Sequence, residues 1–249
     1  MEAKKTSLNE VFLSNRTLKV PYFQRPYVWK LENWEKFYND IAQVALDAKE
    51  GGAPKTYFIG SIILKQAGFD GTQVYEVIDG QQRLTTTVLF MKALFLRIGK
   101  NDFFKRQFMQ ESLLDEDKPI FVPGHNDIMT YTQLINQEIL TTQELNSSTM
   151  AKAYSYFADR ILKSDKGEDE DFPVTAREMY QAVVNSVRLI CINLEENEDA
   201  QKIFETINCT GIRLTTGEML KNYLYDEHNV EDYERTWKKE PTSHIGTMI

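Results

Sequence analysis

The hydrophobic positions change period several times along the chain. Trp34, Phe37, Tyr38, Ile41, Val44 and Ala45 recur every three or four residues, which predicts a helix with one apolar face, and Glu50-Gly51-Gly52-Ala53-Pro54 ends it. Tyr57–Leu64 and Gln73–Ile78 are β-rich runs joined across Gly68, Asp70 and Gly71, so they predict a hairpin. Beyond Asp79-Gly80 the spacing becomes helical again through Leu84, Val88, Leu89, Met91, Leu94, Phe95 and Ile98, up to Gly99. The predicted order there is strand, Asp-Gly turn, helix.

Upstream, Leu18–Tyr22 reads as a short extended stretch, and Pro26 biases Arg25 away from helix, which keeps Gln24 and Arg25 in a loop. From Asn101 onward helical patterns dominate, over 127–136, 150–162 and 176–187, and Thr175 with Glu178 has capping-box spacing at the head of the last. Between those two helices the acidic run Lys163–Asp171 reads as a solvated, mobile loop. Arg188–Leu194 is strand-like. Asp199–Asn208 is helical, with Ala200, Ile203, Phe204 and Ile207 on one side. A turn at Gly211 follows, and Thr215 and Glu218 then head a further capped helix carrying Met219, Leu220, Tyr223 and Leu224. Nothing repeats at a fixed period, which excludes solenoids and propellers.

Composition narrows the class. The 249 residues are 42% hydrophobic and 27% charged, with two cysteines, values of a globular protein that exclude a disordered chain or a disulfide scaffold. The longest apolar run, Val88–Ile98, is interrupted by Lys92 and Arg97 and is far shorter than the roughly 20 residues of a membrane span. The N-terminus has no signal-peptide core, and Cys191 and Cys209 have no metal or redox spacing, so a cytoplasmic location is expected. The net charge of −8 is uneven. Residues 1–100 carry 14 basic and 10 acidic side chains, the remainder 15 and 27. An anion is therefore expected to bind in the first part, if anywhere.

Three clusters carry candidate chemistry. The densest is Val77-Ile78-Asp79-Gly80-Gln81-Gln82-Arg83-Leu84-Thr85-Thr86, at a strand-to-helix turn. Unpaired N–H groups at a helix start favour a phosphate, Gly80 permits close approach, and Arg83 can clamp two oxygens. Gln81 and Gln82 can hold a phosphate or orient a water, and Asp79 can bind hydrated Mg2+ or accept a proton. The same residues also suit a plain tight turn with Asp79 as N-cap. The second cluster, Phe23-Gln24-Arg25-Pro26-Tyr27-Val28-Trp29, combines a cation with aromatic faces, suited to gripping phosphate through Arg25 and stacking a base on Tyr27 or Trp29, or equally to a packing corner. The third, Phe204-Glu205-Thr206-Ile207-Asn208 with Gly211, Leu214, Thr215, Glu218 and Lys221, proves little alone. The three histidines, His125, His228 and His244, have no metal-ligand spacing, and no Walker A, nucleophile-elbow or dinucleotide-binding pattern occurs.

Together FQRPYVW, YFIGSIIL, VIDGQQRLTT and FETINCTGIRLTTGEMLKN, in that order over roughly residues 10–225, resemble the ParB-like N-terminal domain of GmrSD-type modification-dependent restriction enzymes. The resemblance implies an α+β fold, a ParB/sulfiredoxin-like small sheet with helices over 1–100, followed by a mainly helical region over 101–249 that supplies the third motif. It also implies a phage-defence module that binds and hydrolyses a nucleoside triphosphate, coupled to sensing of modified DNA. By motif, Asp79, Gly80, Gln81, Gln82, Arg83 and Thr85 form the nucleotide site, with Asp79, Gln81, Gln82 and Arg83 as its catalytic groups and Asp79 as the Mg2+ ligand. Gln24 and Arg25 face it, and Asn208 and Lys221 lie nearby. Many relatives continue into a histidine-centred HNH nuclease. The sequence ends at His244-Ile245-Gly246-Thr247-Met248-Ile249 without that motif, so strand cutting is expected to need a separate nuclease domain or subunit. The competing expectation is a DNA platform built on Arg25, Tyr27 and Trp29 without turnover. A ParB-like nuclease is the remaining alternative.

Overall fold

A computed structural model describes residues 2–13, 15–22, 24–52, 56–111, 117–136, 148–195 and 198. Its frame is a six-stranded mixed sheet. The strands are β1 (Glu2–Ser7), β2 (Arg16–Lys19), β3 (Tyr57–Asp70), β4 (Thr72–Asp79), β7 (Phe121–Val122) and β8 (Val187–Leu194), in spatial order β1-β8-β3-β4-β2-β7. β3 and β4 are the expected antiparallel hairpin, longer than the sequence suggested because β3 continues through a bulge near Gly68 to the turn at Gly71. A second, two-stranded sheet pairs β5 (Met109–Gln110) with β6 (Lys118–Pro119).

β8 is inserted between β1 and β3, antiparallel to the first and parallel to the second. Residues from both sides of position 100 thus share one sheet, so the division expected there is not a boundary of the sheet.

Helices α1 (Leu8–Val11), α2 (Leu31–Lys49), α3 (Gln81–Ile98), α4 (Asn101–Phe108), α5 (Ile128–Asn136), α6 (Thr149–Asp165) and α7 (Ala176–Ser186) surround a common core. Alternation along the strands sends Ile62, Leu64, Val77 and Leu189 into the main core, while Ile63, Ile78 and Leu194 form a small cluster on the opposite face. α3 is the central helix: every residue from Leu84 to Phe95 is buried, including Lys92, as expected for a helix packed all round. Phe90 meets Phe37 and Phe157 edge-on, with centroids 5.6 and 5.5 Å apart, which locks α3 to α2 and α6.

The capping box expected at Thr175 and Glu178 forms, and starts α7. The acidic run after α6 differs from expectation. α6 reaches Asp165, and Asp169 is buried against Arg160, with 2.9 Å between the charged groups. A buried carboxylate needs a partner, and the cationic side chain one turn before the helix end supplies it. This segment is therefore pinned, where composition alone had suggested a solvated loop.

A candidate anion site at the start of α3

The turn from β4 into α3 is built on Gly80, the N-cap, at φ +99° with no side-chain cap. A β-carbon there would sit 2.6 Å from Ile62 Cγ2, so both the left-handed backbone and the packing against β3 demand glycine. Asp79 is thus the last residue of β4, and the cap expected from it falls one residue later on a residue that has no side chain. The first turn of α3 consequently begins with backbone N–H groups that no side chain caps, the partially positive end of an 18-residue helix.

Arg83 lies across β3. Its Nη1 donates to the Ser61 carbonyl at 2.6 Å and stands 3.5 Å from Asp79 Oδ2, while its Nε would be 2.6 Å from a β-carbon on Gly60. Gly60, at φ +121°, is the seat that lets the guanidinium approach the strand. The side chains of Arg83 and Asp79 keep 31% and 21% of their exposure, so the guanidinium is anchored at one nitrogen yet borders solvent.

The Gln24–Trp29 loop is fastened to this turn by glutamines. Gln24 Nε2 donates to the carbonyls of Val77 at 2.9 Å and Ile78 at 3.1 Å, which ties the loop to the end of β4. Gln81 Nε2 donates to Arg25 O at 2.7 Å. Gln82 is engaged at both ends of its amide: Nε2 donates to Pro26 O at 3.1 Å, and Oε1 accepts from Val28 N at 2.9 Å and Trp29 N at 3.4 Å. From the other side, Asp127 Oδ2 accepts the Tyr27 amide at 2.7 Å.

These bonds revise several expected roles. Gln82 is a buried loop fastener with no idle amide group to orient a water. Thr85 is buried and donates its hydroxyl to Gln81 O at 2.9 Å, so it serves its own helix instead of a ligand. Tyr27 is also a core residue. Its hydroxyl accepts from Trp34 Nε1 at 2.9 Å and meets Thr86 Oγ1 at 2.8 Å, and burial pushes its proton affinity up, so its ring is not open to a nucleobase. Trp29 is half-buried, its ring packed against the main core.

Arg25 is different. Its backbone is fastened through Gln81 while its side chain is half-exposed, and among the described residues no hydrogen-bond or ion-pair partner takes up its guanidinium. The structure thus brings together Asp79, Gly80, Gln81, Gln82, Arg83, Thr85, Gln24, Arg25, Tyr27 and Trp29. Asn208 and Lys221 lie outside the described residues. Gly60, Trp34 and Asp127 are members of this site that the sequence did not mark as such. Asp127 had a visible signal only as the head of a helical pattern, since its partner lies 100 positions away. Asp79 is the one carboxylate expected as a metal ligand, and the described residues hold no cluster of three or more His, Cys, Asp or Glu placed to bind an ion. One carboxylate alone does not make a metal site, so an ion there would need further oxygens from a ligand.

The site lies in a mixed α/β domain, at an uncapped helix start flanked by Arg83, anchored on β3, and by Arg25, whose guanidinium has no partner among the described residues. Residues 8–225 match the family described as GmrSD restriction endonuclease, N-terminal domain, and the chain belongs to that family. It is accordingly a component of a restriction, or phage-defence, system. No curated protein matches the chain. Among the described residues no helix is long and apolar enough to cross a membrane.

Proposed function

We propose that this domain binds a nucleoside triphosphate with its phosphates between Arg25, Arg83 and the first turn of α3, and hydrolyses it with Mg2+ in support of a restriction system that senses modified DNA. The observation that supports the reading is Arg25: a cation on a loop fastened to an uncapped helix start, with no hydrogen-bond or ion-pair partner for its guanidinium among the described residues. A guanidinium and the partially positive amides of a helix start both favour an anion placed between them.

In this reading Arg25 and Arg83 gather the charge that develops on the phosphate oxygens, the preorganised electrostatic contribution that dominates phosphoryl transfer. Asp79, beside Arg83, orients that guanidinium and offers an oxygen to the Mg2+ that accompanies the triphosphate. The metal supplies charge neutralisation when bound. Gln81 and Gln82 hold the loop at its working distance and take no part in the chemistry. Modified DNA and a nuclease domain or subunit are the partners we propose. The engagement of Tyr27 disfavours the alternative of a base-stacking platform on this loop.

The test is phosphate release from GTP, ATP, CTP and UTP with Mg2+. At least one triphosphate is turned over by the wild type, and Arg25→Ala abolishes that turnover with an unchanged melting temperature. No binding of any triphosphate by the wild type refutes the proposal.

A further inference from the structure

The glutamines that hold the Arg25 loop come from the loop itself or from α3, next to the turn they serve. Asp127 does not. It stands at the threshold of α5, where its amide donates to Gly124 O and its carbonyl accepts the Tyr131 N–H, both at 2.9 Å. Tyr131 is fully buried, edge-on to Phe121 at 5.8 Å, so the backbone beneath Asp127 is fixed by the core. The 122–127 segment also abuts the loop. Val20 N donates to Val122 O at 2.9 Å, and a β-carbon on Gly124 would come within 3.9 Å of Gln24 O.

We propose that Asp127 is a positioning residue: by accepting the Tyr27 amide it sets the angle at which the loop presents Arg25 to phosphate. This rests on the anion-site reading above. A carboxylate acceptor is stronger than a neutral one, and here it adds a bond from outside α3 to those by which Gln81 and Gln82 hold the loop. Burial raises the proton affinity of this carboxyl, and the Tyr27 N–H offsets only part of that rise. The loop is thereby clamped between α3 and α5. Fixing a guanidinium to within a fraction of an ångström is what phosphate recognition requires, and slack in a supporting group weakens it.

The experiment compares Asp127→Ala and Asp127→Asn, each with and without Arg25→Ala. GTP and ATP affinity with Mg2+ is read by calorimetry, and amide hydrogen exchange is read at residues 27–29. Asp127→Ala loses protection at those amides and binds triphosphate about tenfold more weakly, the scale of one hydrogen bond to a charged group. Asp127→Asn keeps an oxygen acceptor without the charge and falls between the two, about threefold weaker than wild type. In the Arg25→Ala background Asp127→Ala causes no further loss, since the angle of a removed guanidinium is irrelevant. Unchanged loop exchange, unchanged affinity, or an equal loss in the Arg25→Ala background overturns the proposal. Failure of the wild type to bind any of GTP, ATP, CTP and UTP is a different outcome, read before any variant is made. It removes the anion site and this role with it.

Discussion

Gln82→Ala separates fastening from catalysis. The substitution deletes the bonds to Pro26 O at 3.1 Å, Val28 N at 2.9 Å and Trp29 N at 3.4 Å. The last is long and contributes little. The two shorter bonds are worth about 0.5–1.5 kcal/mol each, and the abandoned loop groups reach water once the loop loosens, so the total is about 1–3 kcal/mol. For a protein of this size each kcal/mol lowers the melting temperature by roughly 2–4 °C, so a loss of about 2–12 °C is expected. Thermal unfolding followed by circular dichroism reads it directly. Triphosphate affinity falls with stability, because Arg25 loses its support, and hydrolysis per bound nucleotide is retained. Wild-type stability together with abolished turnover at saturating nucleotide refutes the reasoning and returns Gln82 to the chemistry.

Two further outcomes follow from the geometry. Gly80→Ala combines a left-handed alanine with a β-carbon 2.6 Å from Ile62 Cγ2, and costs about 2–5 kcal/mol from backbone strain and overpacking; urea unfolding measures it, and a cost under 1 kcal/mol contradicts the close approach. At Glu178, burial alone would raise the carboxyl, but the Thr175 amide and hydroxyl and Lys49 outweigh it and hold it below its ordinary 4.5. A depressed native value means the stabilisation is present at neutral pH and lost as the pH falls through that value. The stability gap between wild type and Glu178→Gln, read by urea midpoints, is therefore open at pH 7 and narrows as the pH falls through the native value, and a gap that widens in acid contradicts the cap.

Elements with strong local patterns were readable in the sequence. α2, α3, α6, α7 and the β3–β4 hairpin follow from periodicity and turn residues, with ends displaced by a few positions. β1 carries its pattern only against β8, and β7 is two residues long, so neither stands out without its neighbours. The same distinction holds at the site. The turn, Gly80 and Arg83 were visible because their chemistry is local. The alternatives at Gln82 and Tyr27 stayed open in the sequence because the partners that engage them, Val28 and Thr86, lie more than 50 positions away. An amide in a candidate phosphate turn looks identical in sequence whether it faces a ligand or the backbone of a loop.

The most direct test of the central claim is calorimetric titration of GTP and ATP with Mg2+ into wild type, Arg25→Ala and Arg83→Ala. The account predicts binding by the wild type, and affinity reduced at least tenfold in each variant, the loss expected from one charge-assisted contact to phosphate. Triphosphate binding that is indifferent to both arginines contradicts it.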